Sequence, residues 1–333
     1  MRVLEHDALV PGAVYLCQVA DSVSCGGCCG LYNVHELRRD SLRAMLLERT
    51  TQFVTVARTI AGIDAFAAER LAVEGTDYPD ASLHHCPFVG LIIHPAGERV
   101  GCLLHPLATG NGGVDWRGLS YYGSAACSLF FCPTYSALTP RWKRLVRELI
   151  IDWYSYGLII VEHRFLAAVL AEVESRLGQE LGSQHLGHKA RKALADLCML
   201  RLEWPFQRPG TRLGRNFFSI QDSPRPLEAL MQSEHLMHEK ILLLRGGCQP
   251  DAAISATMGK IASSASPSRN DDAVPSPSSS NLIGGSVHDG NNQYFLTILA
   301  ELDTDPALVP QAVEFLESAL EQAVRLCRQI RMF

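Results

Sequence analysis

Apolar and polar positions change texture near residue 139, from short runs broken by turns to long stretches with a helical period. Ala13–Cys17 is a short apolar run, either a strand or the lead-in to a turn. Asn33 suits the cap of a helix from about Val34, with Leu37, Leu42, Met45 and Leu46 recurring at helical spacing. A second helix is expected from about Phe53 to Val73 with Gly62 as its break, then a turn-rich stretch from Gly75 to Ser82. Two apolar runs flank Pro95-Ala-Gly-Glu98 and predict a β-hairpin that brings Cys86 and Cys102 near each other. A flexible loop, Gly110–Gly113, and an aromatic, glycine-containing segment, Gly118–Pro133, follow.

Thr139 and Pro140 then read as cap and first residue of a helix whose apolar face carries Trp142, Leu145, Val146, Leu149, Ile150 and Trp153. The pattern runs on towards Leu177 with a bend at Gly157, and a further helix is expected at His188–Leu202. Prolines make 205–226 an extended connection, and Leu227–Leu244 returns to helix, stopping at Gly246-Gly247. Residues 248–291 hold ten serines and no aromatic residue, the composition of a linker. Asp305-Pro306 opens a last helix with Val313, Leu316, Leu320, Val324 and Cys327 facing inward, expected to pack on the helices from 139 onward.

The fold class read from this pattern is mainly α: a cysteine-rich metal module with a short β-hairpin at 1–135, a helical body at 136–247, a linker at 248–291 and a helical segment at 292–333 that packs on the body. A formal charge of −5 over 333 residues supplies no basic field, so neither nucleic acid nor an anionic membrane surface is an expected partner. A partner protein on the helical body is the alternative. No apolar stretch is long enough to span a bilayer, and the first residues lack a secretory pattern, so the expected location is cytoplasmic.

Cysteine usage changes the picture most. Of eleven cysteines, eight (Cys17, Cys25, Cys28, Cys29, Cys86, Cys102, Cys127 and Cys132) fall within the first 132 residues. In a reducing compartment such crowding favours metal ligation or redox chemistry over disulfides. Cys25-Gly-Gly-Cys28 presents two sulfurs from one turn, and its glycines let amides crowd the sulfurs. Cys29 directly follows Cys28, and neighbouring side chains diverge, so these three thiols do not suit one tetrahedral ion. Either a polynuclear cluster or two sites sharing the turn remains. The metal ligands read from the sequence are Cys25, Cys28, Cys29, Cys86, Cys102, Cys127 and Cys132, with Cys17 and His105 as additions and His84 and His85 behind them. Zinc and iron–sulfur clusters both accept all-thiolate ligation, and Cys-Pro at 86 and 132 echoes the end of bacterial ferredoxin motifs. Cys198 and Cys327 read as small core hydrophobes.

The succession Cys25-x-x-Cys28-Cys29, Cys86-Pro-Phe and Gly101-Cys-Leu-Leu-His-Pro106 resembles the zinc- or iron-chelating cysteine-cluster family, over roughly residues 17–135. That resemblance implies a metal without naming a reaction. Two departures stand out: Ser22 replaces the family's first cysteine, and His105-Pro106 stands where Arg-Pro is usual, so Cys17 or the pair Cys127 and Cys132 would replace the missing ligand.

A second reading makes Cys25 and Cys28 the exchanging pair of a thiol oxidoreductase, or places them in an iron–sulfur enzyme; no catalytic residue is assigned. His235 and His238 share a helical face but lack the glutamate of a zincin. Arg141, Lys143, Arg144 and Arg147 read as the solvated start of a helix. Gly110, Gly112 and Gly113 lack the Lys-Ser or Lys-Thr of a phosphate loop.

Overall fold

In a computed structural model, residues 6–81, 83, 85–120, 123, 127, 130–183, 186–214 and 290–328 are described. The expected helix at Leu227–Leu244, His235 and His238 on it, and most of the serine-rich linker lie outside them. Among the described residues the chain is mainly helical, with one two-stranded antiparallel hairpin.

The first helix, α1, is Arg39–Val54, not a helix from Val34. Asn33 is spent elsewhere: its amide donates to the carbonyls of Asp80 and Leu83 at 2.9 and 3.2 Å, and its side-chain oxygen accepts from Asp80 N. That pins the cysteine turn to a distant loop. The expected helix over 53–73 is also corrected. The chain breaks at 55–59, and α2 is Ile60–Glu74, capped by the Thr59 hydroxyl accepting from Gly62 N. Gly62 lies inside α2, where a Cβ would meet the Ala57 carbonyl oxygen at 2.4 Å.

The hairpin forms as expected from β1 (Val89–His94) and β2 (Gly97–Cys102), with Val89 opposite Cys102. Packed on β1, α1 carries the fully buried Arg49. Its guanidinium donates to the carbonyls of Cys86 (3.1 Å) and Val89 (3.2 Å), forks onto Glu74 and meets His85. Unpaired, such a cation would cost several kcal/mol to bury, so these partners fix where the strand enters the hairpin.

Next come α3 (Thr134–Ala137), α4 (Pro140–Leu149), α5 (Trp153–Ile160) and α6 (His163–Leu177). Thr139 caps α4 with Pro140 at its first position, as read. The single bent helix expected beyond it is three. Ile150 turns extended, Asp152 caps α5 by accepting from Tyr154 N and Ser155 N, and a second break falls at Val161–Glu162. Gly157 is no bend: it lies within α5. Three of the four basic residues of α4 are tied inward: Lys143 is buried and donates to the carbonyls of Pro11 and Tyr135, Arg141 pairs with Glu174, and Arg147 with Asp7, while Arg144 is exposed as read.

α7 is His188–Glu203, α8 is Gly290–Glu301 and α9 is Val309–Arg328. The apolar segment before residue 302 therefore belongs to a helix that begins at 290, inside the range read as linker. Asp305 caps a short 3-10 turn, Pro306–Leu308, that leads into α9. The inward face expected for α9 is buried and packs on α6 and α7. No helix among the described residues is long and apolar enough to cross a membrane.

Burial divides into two clusters. The larger runs from Val14 and Leu16 through Leu46 and Val100 to the helices and on to Cys327. A smaller one gathers Phe53, Ile63, Phe66, Cys86, Phe88, Leu103 and Leu104.

Candidate metal centre

The turn around Cys25 is held from three sides. An isolated bridge pairs Gln18 with Ser24, and Cys25 N donates to Cys17 O at 2.9 Å, so Cys17 and Cys25 stand side by side. Ser24 Oγ accepts from Val100 N at 2.8 Å, which docks the turn on β2. Gly26 must be glycine there, because a Cβ would meet Leu31 Cδ2 at 2.8 Å and Val100 Cγ1 at 3.0 Å. Gly27–Cys29 closes as a 3-10 turn ending on Gly30 at φ 74°, a left-handed position.

Cys132 arrives from the other side, just before α3. Tyr135 N donates to Cys132 O at 2.9 Å. The Tyr135 hydroxyl accepts from Leu16 N at 2.9 Å and lies 3.5 Å from Cys17 Sγ. Four sulfurs, of Cys17, Cys25, Cys28 and Cys132, therefore line one small cavity, walled also by Leu16, Phe130, Tyr135 and Ile160. The buried Tyr32 hydroxyl lies beside the Cys25 thiol without a hydrogen bond of ordinary geometry.

Of the remaining four, Cys86, Cys102 and Cys29 lie on the smaller cluster, Cys29 touching the larger one as well. Cys86 N donates to Cys29 O at 2.9 Å, and Leu103 N to Phe88 O at 2.8 Å, which sets Cys102 beside the Cys86-Pro-Phe segment. Cys29 and Cys102 both pack on the cluster that buries Cys86. Cys127 is exposed, with its sulfur 3.1 Å from Ser120 Oγ.

Sulfur acidity follows the same division. Burial and then the charges of Cys28 and Cys132 hold Cys17 well above the ordinary thiol range; burial, then Cys132, does so for Cys25. Burial pushes Cys86 up to about 12 and Cys102 to about 11, with Cys102 and Cys127 charges adding to the first and Cys127 to the second. Cys28 is the exception: an S–H donated by Cys29, helped by backbone amides of the turn, lowers its pKa, while that same bond and burial raise Cys29. Arg117 supplies positive charge near Cys102 and Cys127.

One local device recurs. Gly27 N donates to Cys25 Sγ at 3.3 Å, and the backbone amides of Phe88, Leu104 and Thr134 favour the thiolates of Cys86, Cys102 and Cys132 against the effect of burial. In each case the donor lies two residues after the cysteine. A neutral thiol gains little from an amide N–H, whereas a thiolate gains a charge-assisted bond. Cys198 and Cys327 give the contrast: burial alone raises them, to about 12 and about 11.

All seven cysteines read as ligands thus lie in one region, joined by Cys17. His105 does not join them: its Nδ1 accepts from Leu107 N at 3.1 Å, and burial with the nearby Arg117 lowers its pKa. His85 is turned to Gly30 O and Arg49. Sequence reasoning missed Tyr32, Tyr135 and Arg49; Tyr135 and Arg49 stand far along the chain from Cys17 and Cys86, whereas Tyr32 near Cys25 and Tyr135 near Cys132 were local signals.

Among the described residues, no three His, Cys, Asp or Glu side chains stand ready to hold an ion. What suits a metal is the chemistry of the donors: four cysteines line one small cavity, and Gly27 N donates to the sulfur of one of them. No family model, curated protein or solved structure matches the chain, so its likeness to the chelating cysteine-cluster family rests on the motifs alone.

Proposed function

We propose that this chain is a metal-binding protein in which Cys17, Cys25, Cys28, Cys29, Cys86, Cys102, Cys127 and Cys132 hold zinc or an iron–sulfur centre in a structural or electron-transfer role. The observation that carries the reading is the gathering of Cys17, Cys25, Cys28 and Cys132 around one small cavity, where Gly27 N donates to Cys25 Sγ at 3.3 Å. Donors placed two residues on offset the charge of a thiolate, the form that binds metal. Four thiolates around zinc make a closed structural centre, while an iron–sulfur cluster on the same donors exchanges electrons. In either case this chain's residues supply the sulfurs, the compensating amides and an apolar wall that limits water.

Elemental analysis of the full chain purified under nitrogen tests it. Zinc, or iron with acid-labile sulfide, is expected at one atom or more per chain. Protein that is folded yet holds neither metal overturns the reading.

One observation favours a thiol oxidoreductase instead: Cys28 is the only thiol of the group whose pKa is lowered, three residues from Cys25 across Gly26 and Gly27. Cys28→Ser separates the two. On the metal reading it lowers bound metal and stability together; on the redox reading the fold persists and thiol–disulfide turnover is lost.

A further inference from the structure

Cys28 and Cys29 are consecutive, their thiols interact and both touch the larger core, yet their other neighbours differ. Cys28 lines the cavity with Cys17, Cys25 and Cys132, and none of Cys29, Cys86, Cys102 or Cys127 lines it. Cys29 O instead accepts from Cys86 N, and Cys29 packs with Cys102 on the separate small cluster of Phe53, Phe66, Cys86 and Phe88. The amide-bearing cysteines divide evenly as well: Cys25 and Cys132 in one group, Cys86 and Cys102 in the other. Charge coupling follows the same line for Cys25, on which Cys132, Cys28 and Cys17 act, and for Cys86, on which Cys102 and Cys127 act, while Cys29 at the junction feels Cys28 first and then Cys86 and Cys102.

We infer that the eight thiols form two separate four-sulfur centres, an inner one of Cys17, Cys25, Cys28 and Cys132 and an outer one of Cys29, Cys86, Cys102 and Cys127, joined through the Cys28–Cys29 peptide. This rests on the metal-binding reading and sharpens it. A single polynuclear cluster would need all eight sulfurs around one space, whereas two tetrahedral sets need four each. The centres also differ in access. The inner cavity is walled by Leu16, Tyr135 and Ile160, while the outer set includes the exposed Cys127. The outer centre is therefore the one that exchanges metal with solvent.

The test uses the full chain stripped of metal and reloaded with zinc(II) alone under nitrogen. Wild type should take up two zinc ions and release them to a chelator in two phases of equal amplitude. Cys25→Ser with Cys132→Ser should lose the slow half, and Cys86→Ser with Cys102→Ser the fast half. Cys127→Ser, at an exposed position that leaves the core intact, should speed the fast half at least tenfold and leave the slow half unchanged. Loss of both ions in folded Cys127→Ser, or uptake of two ions released in one phase that Cys127→Ser speeds as a whole, overturns the division into two centres. No uptake by folded wild type, and no iron or sulfide in protein as isolated, overturns the metal reading itself.

Discussion

At the residue scale the site is built by close approach. In α5, Gly157 lets the helix lie against the cysteine turn: a Cβ there would stand 1.8 Å from the Tyr32 hydroxyl oxygen and 3.3 Å from Ser24 O. The Gly157 carbonyl also accepts from the Cys25 thiol at 3.7 Å. A methyl in that space must push the turn off α5, so Gly157→Ala should lose about 1–3 kcal/mol, the usual cost of overpacking. Most of the clash is with a single atom, the Tyr32 oxygen. Tyr32→Phe removes it, and the pair should show a favourable coupling of at least about 1 kcal/mol in a double-mutant cycle by urea denaturation. Additive single effects would mean that Gly157 is tolerant and the approach is not tight.

Among the elements, the hairpin is held by more than its ladder. Glu98 on β2 accepts from Arg43 of α1 at 2.9 Å and from Trp153 Nε1 of α5 at 3.2 Å, so one carboxylate joins strand, first helix and helical body. The Arg43 hydrogen bond, against an opposing effect of burial, holds the Glu98 pKa below the usual carboxylate value. A depressed carboxylate contributes stability that is complete above its unfolded value of about 4.3 and is lost as pH falls through the lower folded value. Glu98→Gln should therefore cost about 1 kcal/mol near neutral pH, and the gap from wild type should close below about pH 4. Equal gaps at pH 7 and pH 3 would show that the charge plays no part.

This hairpin and the start of α4 were legible in the sequence because their signals are local: two apolar runs around Pro95–Glu98, and Thr139 before Pro140. Asn33 misled for the opposite reason. Its capping chemistry is genuine, yet the backbone groups it satisfies belong to Asp80 and Leu83. The three-way split of the helix over 140–177 was hidden because Ile150 and Ile151 continue the apolar run through the break. In the site, the clustering of cysteines was readable, but their partition was not. Spacing puts Cys28 with Cys29, and the proposed partition rests on contacts that spacing does not show: Cys28 lines the cavity, while Cys29 O accepts from Cys86 N.

Across the whole molecule, the larger core crosses residue 135 without a break: Val14, Leu16, Leu31 and Tyr32 are buried in the same cluster as Tyr156, Ile160, Phe165 and Leu316. Far from the thiols the body is closed by buried polar ties. Arg201 meets Glu162 at 3.3 Å and Asp303 at 3.5 Å, and Trp204 Nε1 donates to Thr304 Oγ1 at 3.1 Å. The inner sulfurs face that shared core through Leu16, Tyr135 and Ile160. On the metal-binding proposal, an ion bound there would be linked to the folding of helices that carry no ligand. A ligand present at 100 times its dissociation constant adds about 2.7 kcal/mol to the folded state, which for a chain of this size moves a thermal midpoint by roughly 4 °C. Stripping the metal should thus lower one cooperative transition by that amount, seen alike in far-ultraviolet circular dichroism, which reports the helices, and in tryptophan fluorescence, which includes Trp153 beside Glu98. Should the helical signal keep its midpoint while only the cysteine-bearing region loosens, the continuous core would not transmit the site's stability.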